Sequence, residues 1–138
     1  MRIKVKKVHP RALLPTKAYP GDLGYDLYAL ERVVLKPLRP VAVRTGVAVE
    51  LPDGWGALVK DRSSLALKGI HALGGVIDNG YRGEIRVILV ALAEEVVLEA
   101  GSKIAQLVPV RTTDWEIVEV EELSDSHRGE RGFGSSGT

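Results

Sequence analysis

Val41-Ala-Val-Arg-Thr-Gly-Val-Ala-Val-Glu-Leu51 is β-branched and roughly alternating, and it runs into Pro52-Asp-Gly54, a turn signal. Such a stretch reads as a strand. Working outward, Glu84-Ile-Arg-Val-Ile-Leu-Val90 reads as a second strand, polar at alternate positions at its start and buried later. Val96-Val-Leu98, Lys103-Ile-Ala-Gln-Leu-Val-Pro-Val110 and Trp115-Glu-Ile-Val-Glu-Val120 continue the pattern. Short strands with turn signals roughly every 8–12 residues predict an all-β sandwich or jelly roll rather than alternating β-α units. One short helix fits, Ser63-Ser-Leu-Ala-Leu-Lys68, with a serine cap and Gly69 as its stop.

The chain has 138 residues, 45% of them hydrophobic and 27% charged, which suits a single domain over 1–138 with its own core. A net charge of +1 gives no reason to expect nucleic-acid or membrane-surface binding, so any anion site must be local. The absence of cysteine excludes disulfides, thiolate nucleophiles and zinc-thiolate sites. The three histidines, His9, His71 and His127, show no metal-ligand spacing. Met1-Arg-Ile-Lys-Val-Lys-Lys7 lacks the apolar run of a signal peptide, and no stretch reaches the roughly 20 apolar residues of a membrane helix; the expected location is cytoplasmic. There is one Asn (Asn79) and one Gln (Gln106). Depletion of thermolabile amides fits a thermophile, and it reserves these two for positions where nothing else serves.

Five segments carry candidate chemistry. In Pro20-Gly-Asp-Leu-Gly-Tyr-Asp-Leu27, Asp22 and Asp26 lie between glycines; carboxylates there suit Mg²⁺ or, equally, the capping of turns. Arg62, Ser63 and Ser64 at a helix start make either a phosphate site or an ordinary capped helix with a surface arginine. Asn79-Gly80 is a tight-turn dipeptide that sets Asp78 and Tyr81 on either side of a hairpin. Asp78 could deprotonate a water and Tyr81 could pack on a sugar, or both could be turn furniture. Gln106 is an amide inside an apolar strand and needs partners, from protein or ligand. The tail Arg128-Gly-Glu-Arg-Gly-Phe-Gly-Ser-Ser-Gly-Thr138 holds the only Phe of the chain, Phe133, in a segment too polar to bury it. It is either a frayed terminus or a lid for a flat, anionic ligand.

Together these segments resemble the five motifs of the homotrimeric dUTP pyrophosphatases (dUTPases). The matches are Gly24-Tyr-Asp-Leu27, Arg62-Ser-Ser-Leu-Ala66, Gly75-Val-Ile-Asp78 with Tyr81-Arg-Gly-Glu84, Gly101 through Gln106, and Arg128-Gly129 with Gly132-Phe-Gly-Ser-Ser-Gly137. The resemblance implies a jelly-roll β-barrel of the dUTPase-like β-clip kind, a homotrimer, and active sites drawn from all three subunits. It implies cleavage of dUTP to dUMP and pyrophosphate with Mg²⁺, which lowers dUTP and supplies dUMP for thymidylate synthesis. By the same resemblance Asp78 is the base that activates water. Tyr81 packs on the deoxyribose, and the backbone of Gly75, Val76, Ile77 and Asp78 reads uracil. Arg62, Ser63, Ser64 and Gln106 hold phosphates, Arg86 is a further substrate-side candidate, and Asp26 reaches the metal through water. Residues 126–138 form a flexible arm that closes on a neighbour's site, with Phe133 and Gly134 over uracil and Arg128, Ser135 and Ser136 on the terminal phosphates. Two departures stand out. Arg131 occupies a position where the family commonly has glycine, and the compact segment from Lys68 to Gly75 lacks an asparagine that some members carry. A dCTP deaminase shares the fold and an Arg-Ser-Ser segment but not the Gly-Tyr-Asp-Leu and Phe-bearing tail together.

Overall fold

The computed structural model describes residues 1–134. Strands β1 (Lys4–Lys7), β4 (Val41–Glu50), β8 (Glu84–Ala91) and β6 (Ile70–Leu73) form one sheet in the order β1-β4-β8-β6. Strands β2 (Tyr25–Tyr28), β10 (Lys103–Arg111), β5 (Trp55–Lys60) and β7 (Val76–Ile77) form a second, in the order β2-β10-β5-β7. β3 (Val33–Leu35) and β9 (Val96–Leu98) make a small third pair. Every strand pairing is antiparallel, so each strand can turn one face inward. One buried cluster joins both large sheets: Val43, Ile85, Val87 and Leu89 from the first meet Leu27, Val59, Ile104 and Leu107 from the second. The architecture is the jelly-roll-like all-β fold that the alternation predicts.

The strand 41–51 forms as β4, but its alternation hides an irregularity. Pairing with β8 slips between Arg44 and Ala48. At the slip, the Glu84 carboxylate accepts the Arg44 Nε–H at 3.1 Å and the Gly46 N–H at 2.8 Å, while the Thr45 hydroxyl donates to the Ile85 carbonyl at 2.6 Å. The polar groups freed by the bulge are thereby satisfied inside the sheet.

Three sequence expectations need correction. Trp115–Val120 forms no strand. It is exposed chain, because no strand of the described residues lies beside it and alternation without a ladder does not make a sheet. The helix is α1 (Ser63–Ala66), and its N-cap is Arg62, in extended conformation, with no side-chain cap bond. The serines fall inside the first turn because the Arg62 carbonyl already accepts the Leu65 and Ala66 N–H groups. Asn79-Gly80 does turn the chain, with the Tyr81 N–H on the Asp78 carbonyl at 3.1 Å, but it is not a hairpin. β7 and β8 belong to different sheets, so the turn is a corner between them. Asn79 fastens that corner: its Nδ2 donates to the carbonyls of Pro52 at 2.9 Å and Trp55 at 2.8 Å.

Candidate active site

Three neighbouring strands assemble a charged cluster at one end of the second sheet. Gln106 on β10 stands opposite Asp26 on β2 and Lys60 on β5, and Arg62 follows β5 two residues later. Asp26, with a side chain only 17% exposed, has a cation on each oxygen: Arg62 Nε lies 3.5 Å from Oδ1 and Lys103 Nζ 3.2 Å from Oδ2. Gln106 Nε2 donates to the Asp61 carbonyl at 2.9 Å. Gly24 has to be glycine for a packing reason, since a Cβ there would run into the Gln106 amide. Ser63 and Ser64 expose their side chains beside this cluster, at the start of α1. Asp26, Arg62, Ser63, Ser64 and Gln106 are therefore brought together as the sequence suggested. Asp22, by contrast, accepts the Tyr19 N–H at 2.9 Å and closes a turn.

Lys103 belongs to this cluster and was not singled out from sequence. In a regular strand, residues three apart point to opposite faces. The register shift in β10 between Lys103 and Ala105 inserts an extra residue, and Lys103 comes round to the face of Gln106.

The second group of candidates lies along β7. Gly75 has φ +92°, and a Cβ on it would strike the Val59 carbonyl, which leaves glycine as the residue that fits. β7 is the last strand of its sheet, so one side of the Val76–Ile77 backbone has no strand partner. Asp78 follows at once, with an exposed side chain. The Tyr81 ring lies across Gly83 and its hydroxyl donates to the Glu84 carbonyl at 2.8 Å, which fixes the ring with almost half its surface exposed. Along β5, Ala57 pairs with Ile77 whereas Lys60 pairs with Gln106. Asp78 and the Arg62 cluster are thus offset by about four residues, on the order of 13 Å along the strand.

Arg86 is not in either group. It projects from β8, in the other sheet, across from Arg44, and its ion pair is with Glu84 at 3.7 Å. In the tail, Arg128 Nε donates to the Arg131 carbonyl at 2.6 Å and Arg131 Nε returns a bond to the Arg128 carbonyl at 2.9 Å. Arg131 therefore ties the 127–131 turn to itself. Phe133 is fully exposed, at φ +49°. Ser135 and Ser136 lie outside the described residues.

The donor set bears on a metal. Among the described residues, no group of three or more His, Asp or Glu side chains could hold an ion. Asp26 is a lone carboxylate whose oxygens already face cations. Such a carboxylate does not make an all-protein cage, and it leaves room only for a cation that keeps its own waters, as Mg²⁺ does.

The sequence model of the dUTPase family matches residues 11–137. The chain belongs to the dUTPase family. It is 45% identical over 141 residues to the deoxyuridine 5'-triphosphate nucleotidohydrolase of Clostridium novyi (strain NT), covering 99% of each chain. It is 46% identical over 142 residues to the enzyme of the same name from Hydrogenobaculum sp. (strain Y04AAS1), again over 99% of each. Among solved structures, a variant dUTPase of Staphylococcus bacteriophage 80alpha with dUpNHpp superposes with a TM-score of 0.87 at 31% identity, over 99% of both chains. A variant dUTPase from phage phi11 of S. aureus, whose structure details the coordination of a structural Mg(II) ion, gives 0.83 at 26% identity, over 91% of this chain and all of that one. The dUTPase fold therefore extends through this chain.

Proposed function

We propose a mechanism for this dUTP diphosphatase in which uracil is read by the open backbone edge of β7 and water is activated by the residue that follows it, Asp78. The observation that carries this reading is the continuity of the two: the exposed Asp78 carboxylate begins where the unpaired edge of Val76–Ile77 ends. Main-chain N–H and C=O groups discriminate uracil from cytosine because a mismatched edge leaves buried groups unpaired, at about 1–3 kcal/mol each. Tyr81, with its ring anchored through Glu84, packs on the deoxyribose and leaves no room for a 2′-hydroxyl.

Asp78 takes a proton from water as the water oxygen bonds to the α-phosphorus. The bond from that phosphorus to the α,β-bridging oxygen breaks, and dUMP and pyrophosphate leave. Arg62, Ser63, Ser64 and Gln106 hold the phosphate oxygens, with Lys103 contributing charge beside Asp26. Positioning and charge stabilisation supply most of the rate in such transfers. Asp26 would hold Mg²⁺ through water, and the ion would supply charge neutralisation for the leaving pyrophosphate. Residues 126–138 close over the bound nucleotide. The location proposed is the cytoplasm.

The offset between Asp78 and the Arg62 cluster supports a composite site, with the two groups meeting across copies of the chain in a homotrimer. The segment after β10 supports it too. Trp115, Ile117, Val118, Val120 and Leu123 are all exposed, more apolar surface in a row than a monomer commonly shows to water. Asp114, Glu116, Glu119, Glu121, Glu122 and Asp125 stand among them, opposite in sign to Arg2 and to Lys4, Lys6 and Lys7 of the basic edge strand β1. Light scattering is expected to give the mass of three chains; the mass of one would remove the composite site.

The activity is tested with a panel of dUTP, dCTP, dTTP and UTP, each incubated with Mg²⁺ and assayed for pyrophosphate. Release is expected from dUTP alone. Ammonia from dCTP would instead mark a deaminase, and silence towards every nucleotide would mark a binding module on the same barrel.

A further inference from the structure

Asp61 lies between Lys60, the end of β5, and Arg62, and nothing said so far gives it a task. Its environment is not that of a solvated loop carboxylate. Oδ1 accepts the Ala72 N–H at 2.6 Å, Oδ2 lies 2.7 Å from His71 Nδ1, and the main-chain carbonyl accepts Gln106 Nε2 at 2.9 Å. One residue is therefore held by the backbone of β6, a side chain of β6 and a side chain of β10. Charge-assisted bonds of this kind are short and directional.

These three contacts control the two neighbours of Asp61 that face the phosphate cluster. With Asp61 pinned to β6, the chain entering α1 cannot swing, and Arg62 stays in the extended conformation that sets its Nε against Asp26. The bond to the Asp61 carbonyl also settles which end of the Gln106 amide is which. Nε2 faces Asp61 with one N–H committed, which leaves its second N–H for a ligand, and Oε1 turns towards Gly24. We infer that Asp61 is a positioning residue for the β- and γ-phosphates, acting through Arg62 and Gln106 and touching no substrate atom itself. The inference rests on the phosphate-binding role given to those two residues above.

The test compares binding of dUpNHpp with binding of dUMP, which lacks the outer phosphates, in Asp61→Ala, Asp61→Asn and Arg62→Ala. Asp61→Ala is expected to weaken dUpNHpp at least tenfold and dUMP no more than twofold, with a matching rise in KM for dUTP. Asp61→Asn is expected to recover most of the loss, since its amide oxygen still accepts from Ala72 and its NH₂ can donate to a neutral His71 Nδ1. If Asp61→Ala yields too little folded protein, His71→Ala removes one of the three contacts and is expected to weaken dUpNHpp about threefold while sparing dUMP. Equal weakening of both nucleotides, or a fall in melting temperature with neither affinity changed, would overturn the inference and leave Asp61 a purely structural residue. Arg62→Ala separates the two levels of the argument. If it leaves dUpNHpp binding intact, the phosphate reading itself fails; if it weakens binding and Asp61→Ala does not, only the role of Asp61 fails.

Discussion

Replacing Asp78 by Asn is expected to lower kcat for dUTP by about 10³-fold, within the range of 10²–10⁴ that a positioned general base contributes. Binding of dUTP should stay within a factor of about three. The asymmetry follows from the site. Asn is isosteric with Asp, the Asp78 side chain is exposed, and the corner it occupies is held by the main-chain bond from Tyr81 to the Asp78 carbonyl and by Asn79, neither of which uses the carboxylate. The substitution thus removes a proton acceptor and little else. Single-turnover measurements with saturating enzyme isolate the chemical step from product release, and wild-type turnover there would disqualify Asp78 as the base. A parallel loss of affinity and kcat would place the carboxylate on the substrate rather than on water.

The second large effect concerns the arm. Phe133→Ala is expected to reduce kcat/KM for dUTP by about tenfold to a hundredfold, since stacking an aromatic ring on a base contributes about 1–3 kcal/mol by alanine substitution. The melting temperature should move by less than about 1 °C, because Phe133 is wholly exposed and has no place in the buried cluster. Arg131 adjusts the size of this effect. By tying the 127–131 turn to itself, it lowers the number of arrangements the arm must give up on closing. Steady-state kinetics and calorimetry on one preparation check both halves of the prediction, and a drop of several degrees would mean that the ring stabilises the protein rather than the bound nucleotide.

The long strands were legible because β4 and β8 each begin with alternating side chains, although residues 45–49 of β4 and 89–91 of β8 are buried at every position. Gln106 and Asn79 were legible as exceptions, the only amides of their kind in the chain. Both turned out to donate to main-chain carbonyls, Gln106 to that of Asp61 and Asn79 to those of Pro52 and Trp55. What escaped the sequence came from places where a local rule is broken by something distant. Lys103 and Gln106 share a face only because β10 is bulged, and a strict two-residue period assigns them to opposite faces. Asp61 looks like one more charged loop residue until β6 and β10, ten and 45 positions away, are folded against it. Trp115–Val120 misled in the other direction. Its alternation is as good as that of a real strand, but a strand also needs a neighbour, and no strand of the described residues lies beside it.

Asn79 has a consequence for how long the protein lasts. An asparagine followed by glycine is ordinarily the pair most prone to lose its side-chain amide as it ages, because the glycine nitrogen can swing in and attack the amide carbon. Here the NH₂ group is held between the carbonyls of Pro52 and Trp55, so the carbon cannot easily turn to meet the Gly80 nitrogen. Should the reaction happen once, the carboxylate it leaves would confront two carbonyl oxygens, and the corner that carries Asp78 would spring open. Loss of that one amide is thus a route by which the protein would age, and the bonds that shape the corner also oppose it.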